Sequence, residues 1–203
     1  MRDFTHINSY LDRLYSDIYE QPEDVGHTRL ALKVVDHWMS RMTTCHSVID
    51  LGAGQGMCQS MFERWGVKYE GIALGEDVVK AQALGRNVKR MDFSFLEYPD
   101  NSFDLGFARH SLEHSPMPVI TLMEWARVAR NWLGVVLPAP EWYTYTGQNH
   151  YSVMNMEQAR QALDVAGWKV LWEDIHYESF DAEKPDSSRI PNEYWIMCEK
   201  KRG

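Results

Sequence analysis

The sequence is poor in cysteine, in basic charge and in long apolar runs. Its three cysteines, Cys45, Cys58 and Cys198, form no C-x-x-C pair and no disulfide framework, which favours a reducing compartment. No apolar run approaches the ~20 residues of a membrane-spanning helix. The first residues carry charges throughout, so no signal peptide is expected. These absences predict a cytoplasmic protein with no membrane segment.

A positive surface for nucleic acid is also lacking. Lys and Arg number 21 against 29 Asp and Glu, a formal net charge of −8. Nucleic-acid surfaces normally need a clustered basic face. A length of 203 residues with no internal repeat suits one ordinary domain, residues 1–203. We expect a single domain and rank a nucleic-acid partner below a small molecule, and the sequence leaves the oligomeric state open.

A glycine-rich turn follows the first buried strand. The apolar residues and the acid of Val48 to Leu51 are followed by Gly52, Gly54 and Gly56. Glycine allows close contact between backbone and ligand, and a helix that starts beyond the turn directs N–H groups at what is bound. The G-x-G-x-x-G dinucleotide fingerprint is not met, because Gly56 comes one residue too early. The turn predicts a site for a nucleotide-like group.

The rest of the chain alternates between helix and strand patterns. Two amphipathic helices, over residues 7–18 and 31–42 with Thr28 as a candidate cap, precede the first strand. We divide the domain into this helical cover or lid, residues 1–45, and a core, residues 46–203. Strand, helix, strand, helix, strand is the doubly wound Rossmann-like α/β pattern, which binds ligands at the carboxyl ends of its strands. Strands are predicted at 69–74, 88–91, 103–108, 133–137, 169–177 and 193–200, and helices at 57–65, 76–84, 118–130 and 155–166.

The segment VIDLGAGQG resembles motif I of the class I S-adenosylmethionine-dependent methyltransferases. That resemblance implies S-adenosyl-L-methionine as cofactor and a seven-stranded, mostly parallel sheet with an antiparallel last strand. It also implies that Asp50 contacts the methionine end of the cofactor, above the glycines. The cofactor site expected from the resemblance comprises Asp50, Gly52, Ala53, Gly54, Gly56, Ala73, Leu74, Glu76, Asp92, Phe93 and Arg109.

A second stretch, Met91 to His114, extends the resemblance. In the family the residues at Asp92 and Phe93 face the adenine, and the loop after the strand that ends near Arg109 closes over the methionine portion. The segment FDLGFARHSLEH is similar to the corresponding sequence of the type 11, small-molecule methyltransferases, a branch that includes the quinone-biosynthesis enzymes. This branch implies a small-molecule acceptor. The [DNS]-P-P-[YFW] signature of DNA amino methyltransferases is missing at Ala108 to Ser111.

The chain departs from the family pattern at two places. Ala73 stands where a carboxylate normally holds the ribose hydroxyls, and Glu76 is the nearest substitute because Glu70 has the wrong parity along the strand. Before the fifth strand, the usual paired glycines are replaced by residues 131–134, which we expect to reshape a turn. The first departure predicts weaker cofactor binding unless another acid takes over.

The acceptor site is expected under the long aromatic loop that follows the fifth strand, from Trp142 to Tyr151. A base is needed only if the acceptor must lose a proton. His150 is our first candidate because it lies in that loop, followed by Tyr151 and His110. The remaining candidates are Glu113, His114, Tyr143 and Tyr145, and at His114 the resemblance implies a structural role.

Two further classes of function stay open. His110 to His114 matches H-x-x-E-H, a zinc-peptidase pattern, but it follows a buried strand, and Pro116 and Pro118 prevent a long helix. No metal site is therefore expected. The second alternative is a binding module that keeps the methyltransferase fold without its activity.

Overall fold

The computed structural model describes residues 4–16, 25–42, 44–141, 149–177 and 191–202. The helices are α1 Thr5–Leu14, α2 Val25–Met39, α3 Gln59–Glu63, α4 Gly75–Ala83, α5 Pro118–Val128 and α6 Met156–Val165. The strands are β1 Ser47–Leu51, β2 Lys68–Ala73, β3 Val88–Arg90, β4 Phe103–Arg109, β5 Ala129–Pro138, β6 Trp168–His176 and β7 Glu193–Lys200. Among the described residues, no helix is both long and apolar enough to cross a bilayer.

The strands form one sheet in the order β3-β2-β1-β4-β5-β7-β6. Neighbouring strands from β3 to β5 pair in parallel, whereas β7 pairs antiparallel with both β5 and β6. The strand order reverses at β1 and β4, which places a ligand crevice at their carboxyl ends. The predicted doubly wound sheet with an antiparallel last strand is confirmed.

Helices cover both faces of this sheet, and β1 is therefore buried on both sides. Val48 packs in a cluster with α2 and α3, and its neighbour Ile49 packs in a second cluster with α5 and α6. Trp38 of α2 lies so close to β5 that a Cβ at Gly134 would be 2.3 Å from its ring. Glycine at position 134 therefore lets α2 approach the sheet.

Several boundaries differ from the prediction. Helix α5 ends at Val128 and β5 begins at the next residue, so residues 131–134 belong to the strand and the expected turn is wrong. Helix α2 begins at Val25, so Thr28 lies inside it and does not cap it. The predicted cap at Asn155 is confirmed, since its side chain accepts from Gln158 N–H at 2.9 Å in a reciprocal capping box.

Candidate active site

One cavity of about 360 Å³ opens at the carboxyl ends of β1, β2 and β4. Its wall contains the glycine turn and a cluster of histidines with Glu113. The structure brings twelve of the predicted site residues to its wall: Asp50, Gly52, Ala53, Gly54, Ala73, Leu74, Asp92, Phe93, Arg109, His110, His150 and Tyr151. Gly56 and Glu76 are not part of this wall.

The glycine turn is shaped by positive φ angles that favour glycine. Gly52 has φ +88°, and a Cβ there would be 2.5 Å from the Cβ of Ser111. Gly56 has φ +73°, and a Cβ there would be 2.7 Å from Val88. Gly52 thus keeps the cavity floor open, while Gly56 lets the turn pack against β3.

Tyr69 fixes the orientation of Asp50, the acid before the glycines. Its hydroxyl donates to Asp50 Oδ2 at 2.7 Å. A Cβ at Gly71 would lie 2.8 Å from that hydroxyl, so glycine at 71 makes room for it. Burial raises the pKa of Asp50 to about 7, although the hydrogen bond from Tyr69 opposes this shift. The carboxyl group of Asp50 can therefore lose its proton and become negatively charged when a cationic group binds.

The acid near the end of β2 is Asp77 and not Glu76. Asp77 is 5 % exposed and lines the cavity, whereas the side chain of Glu76 is exposed and directed elsewhere. Gln55 of the glycine turn donates to Asp77 Oδ1 at 3.0 Å. The structure consequently places the buried carboxylate of Asp77 on the same cavity wall as Ala73, one residue further along α4 than Glu76.

Asp92 and Phe93 lie together on the cavity wall. Ser94 N–H donates to Asp92 Oδ1 at 2.8 Å, and burial raises the pKa of Asp92. The indole N–H of Trp125 donates to the backbone oxygen of Phe93 at 2.9 Å, and this bond fixes the position of Phe93. Tyr15, just after α1, lines the same wall, and its pKa rises to about 12 through burial and then the charge of Asp92.

Arg109 and His110 are held by a buried glutamate from the last strand. Glu193 is 0 % exposed and its Oε1 accepts from Arg109 and from His110 Nε2, each at 2.7 Å. Burial alone would raise the pKa of Glu193, but the charge of Arg109 and the contacts with His110 and Trp195 together outweigh burial and hold the pKa well below its usual range. His110 has φ +51°, an uncommon conformation for a non-glycine residue. This strained backbone turns the ring of His110 towards β7.

Glu113, His114 and His150 form a second polar cluster in the cavity. One ligating atom from each side chain lies within 4.8 Å of the others. Glu113 is 1 % exposed, and neither carboxyl oxygen hydrogen-bonds to another described residue. Burial raises the pKa of Glu113 to about 8 and lowers the pKa of His114 to about 4. The H-x-x-E-H segment does not form one helix: His110 Nε2 hydrogen-bonds to Glu193 while its Nδ1 lies 3.8 Å from Glu113 Oε1, and Leu112–His114 is a single 3₁₀ turn.

Sequence reasoning missed Tyr69, Asp77 and Glu193. Tyr69 and Ala73 are four residues apart on β2, so their side chains lie on the same face of the sheet. This spacing could have predicted that Tyr69 lies near the site. Asp77 differs from Glu76 by one helical position. Glu193 is distant in sequence, and only the strand order brings it to the site. Residues 142–148 of the predicted acceptor loop lie outside the described residues, and Asn149, His150 and Tyr151 line the cavity.

Comparison with known proteins agrees with this geometry. Residues 49–132 match a family model described as a methyltransferase domain. A search of curated proteins finds no match to the sequence. Among solved structures, the methyltransferase in complex with the Trm112 activator from Haloferax volcanii is 17% identical with a TM-score of 0.70, over 87% of this chain and 93% of that one.

Two other solved structures resemble nearly the whole chain. The magnesium protoporphyrin IX methyltransferase of Synechocystis PCC 6803, with bound SAH, is 16% identical with a TM-score of 0.67, over 98% of this chain and 97% of that one. The [4+2]-cyclase SpnF is 16% identical with a TM-score of 0.70, over 98% and 94%. At these identities the likeness concerns the fold.

The sheet order and the cavity at the glycine turn define a class I methyltransferase fold. The matched segment contains both the glycine turn and Asp92–Phe93. These are the two stretches whose sequence resembles the cofactor motifs of the family. Residues 49–132 accordingly match a methyltransferase domain, and the fold is shared with solved methyltransferases, one of which has SAH bound.

Proposed function

We propose that this protein, acting as one domain in the cytoplasm, transfers the methyl group of S-adenosylmethionine to a small-molecule acceptor by in-line displacement. The observation that carries the proposal is a cavity whose wall contains both the cofactor motif and a buried polar cluster. Proximity is the main catalytic lever for such a transfer, because the methyl carbon is already activated. The free thiols of the three cysteines, all buried, support a reducing compartment.

The cofactor end of the cavity fits the expected ligand. Its volume is within the range of about 300–1,000 Å³ typical of small-molecule sites, and Gly52 leaves open the space that a Cβ would fill. We assign Asp50 and Arg109 to the methionine end, and Asp92 and Phe93 to the adenine. The bound sulfonium supplies the methyl group, and these residues hold it in line.

We assign the ribose contact to Asp77 in place of Glu76. Asp77 is buried in the same cavity wall as Ala73, where the family normally has its carboxylate. Hydrogen bonds to a charged group contribute about 1.5–3 kcal/mol each. This assignment accounts for how a chain with Ala73 still binds its cofactor.

His110, His150 and Tyr151 are our candidates for contacting the acceptor. All three line the cavity and are outside the set that we assign to the cofactor. The terminus of α1 is the proposed cover of this part of the cavity, since Leu14 and Tyr15 also line the cavity and Tyr151 hydroxyl donates to the backbone oxygen of Leu14 at 3.4 Å. A small apolar and polar enclosure of this kind favours a compact acceptor over a nucleic acid.

Calorimetry with S-adenosylhomocysteine tests the cofactor assignment. Asp77→Ala should weaken binding at least about tenfold, or ~1.4 kcal/mol, whereas the neighbouring exposed Glu76→Ala serves as matched control and should change little. The reverse ranking would return the ribose contact to Glu76. If both variants bind like the wild type, the ribose lacks a carboxylate partner.

A labelling experiment tests the acceptor class. Methyl-labelled S-adenosylmethionine is incubated with the protein and a cell extract, which is then separated into small-molecule, nucleic-acid and protein fractions. Label in the small-molecule fraction is expected. Label only in RNA or protein would refute the acceptor class. Cofactor binding without transfer to any fraction would favour the binding-module alternative, or another reaction on this fold, as the name of the SpnF cyclase illustrates.

A further inference from the structure

We infer that Glu113, His114 and His150 form a binding site for a divalent transition-metal ion such as Zn²⁺, at the acceptor end of the cavity. The site differs from the H-x-x-E-H pattern because it leaves out His110 and takes His150 from the segment after residue 148. Two imidazoles and one carboxylate are a ligand set that suits Zn²⁺ and its neighbours, whereas Mg²⁺ and Ca²⁺ prefer oxygen ligands.

The first support is the position of Glu113. Its carboxyl group lines the cavity, is 1 % exposed and has no hydrogen-bond partner among the other described residues, and His110 Nδ1 lies 3.8 Å from Oε1, beyond hydrogen-bond distance. A buried carboxylate without a partner is costly. A bound cation would supply the missing partner.

The second support is the tautomer of His114. Its Nδ1 lies 3.1 Å from the backbone oxygen of Asn149. A carbonyl oxygen can only accept, so Nδ1 carries the proton and the lone pair is on Nε2. Metal-ligating histidines commonly donate their other ring N–H to a backbone carbonyl in this way.

The third support is the attachment of the two ligand segments to each other. The backbone oxygen of Glu113 accepts from Tyr151 N–H at 2.7 Å and from Ser152 N–H at 3.0 Å. Ser152 Oγ lies 2.9 Å from the backbone oxygen of Leu112. These bonds hold His150 against the 3₁₀ turn, with ring centroids of His114 and His150 4.8 Å apart.

The spacing of the ligands needs only a small closure. Bonds of about 2.1 Å to a tetrahedral ion place ligand atoms ~3.4 Å apart, against the 4.8 Å that encloses the present cluster. Side-chain rotations that move the ligand atoms by about an ångström would bring them to this spacing. Three protein ligands leave one position open to the cavity, as in catalytic zinc sites.

The role of the ion rests on the proposed function. An acceptor hydroxyl on the open position would lose its proton to solvent more readily, since the cation stabilises the resulting oxyanion. An oxygen lone pair would then form the bond to the methyl carbon, and the electron pair of the broken C–S bond would remain on sulfur. His150 would in this case act through the ion and not as a free base.

The test is a titration of chelator-treated full-length protein with Zn²⁺, followed by calorimetry, and with Co²⁺, followed by visible absorption. One equivalent per chain is expected, weakened at least tenfold in Glu113→Gln, His114→Ala and His150→Ala. His46→Ala, at an exposed histidine outside the cavity wall, is the matched control and should bind like the wild type.

Three outcomes would overturn the site. These are no saturable one-to-one binding, binding that survives the three substitutions, and binding lost in His110→Asn but retained in His150→Ala. S-adenosylhomocysteine calorimetry on every variant reports folding and cofactor binding separately. If the wild type binds Zn²⁺ but not S-adenosylhomocysteine, the proposed function fails while the metal site stands.

Discussion

The buried carboxylate of Glu193 gives the sharpest stability prediction. Its oxygens accept from Arg109 and His110 at 2.7 Å and from the indole of Trp195 at 2.8 Å, and the Arg109 side chain is only 8% exposed. Removing one partner of a buried ion pair leaves an uncompensated charge, which costs about 3–5 kcal/mol. Glu193→Ala should therefore lower the free energy of unfolding by about this amount.

The matched control lies on the same strand. Glu199 pairs with Lys169 at 2.8 Å, but the two side chains are 42% and 64% exposed. Exposed pairs contribute only about 0.2–1 kcal/mol, so Glu199→Ala should cost at most that. Urea unfolding at pH 7 with linear extrapolation measures both changes. Equal costs for the two variants would refute the reasoning.

The pH dependence of Glu193 has a defined sign. Its pKa in the folded protein is depressed below the usual 4.5, so its stabilisation is present above pH 4.5 and is lost as the pH falls below it. Wild-type stability should fall more steeply below pH 4.5 than that of Glu193→Gln. A double variant, Arg109→Met with Glu193→Met, should recover much of the loss, because no charge is then left unpaired.

Three further predictions concern single side chains. The pKa of Asp50 is raised to about 7 in the free protein, so binding of the cationic cofactor should release a proton at pH 6 and none at pH 9. Calorimetry in buffers of different ionisation enthalpy measures the released proton. Equal heats in all buffers at pH 6 would contradict the prediction. Gly52→Ala should reduce stability and cofactor affinity through its 2.5 Å contact with Ser111, whereas Gly66→Ala, at a similar φ but with no atom within 4 Å, should show only backbone strain of about 1–3 kcal/mol. Asn155→Ala should cost about 1 kcal/mol in thermal unfolding through loss of the capping box and leave cofactor affinity unchanged.

Local signals made the fold and the cofactor end predictable. The strand β7 was predicted at its observed bounds, Glu193–Lys200, because a compact apolar run follows a polar connection. The glycine turn follows β1 and Asp92–Phe93 follows β3, so both come directly after parallel strands and lie at the carboxyl edge of the sheet. For these residues, pattern and position are linked by geometry.

Side-chain direction within one helical turn was less predictable. Glu76 and Asp77 are adjacent at the start of α4, and both follow β2 closely enough to reach the ribose. A difference of about 100° around the helix axis separates them, and burial selects Asp77, which is 5 % exposed. The exact first residue of α4 decides this choice, and sequence patterns fix helix ends only to within a residue or two.

The H-x-x-E-H segment shows why spacing alone could not identify its partners. Residues i, i+3 and i+4 share one face only when the segment is helical, but here His110 has φ +51° and the following turn spans Leu112–His114. The break turns His110 towards Glu193, which can reach it because β7 inserts beside β5 and places its first residue opposite Pro138. Glu113 and His114 instead point into the cavity, where His150 meets them from a segment 36 residues later than His114. Local backbone conformation thus splits one sequence motif between a buried ion pair, which stabilises the fold, and a polar cluster, which is available for chemistry.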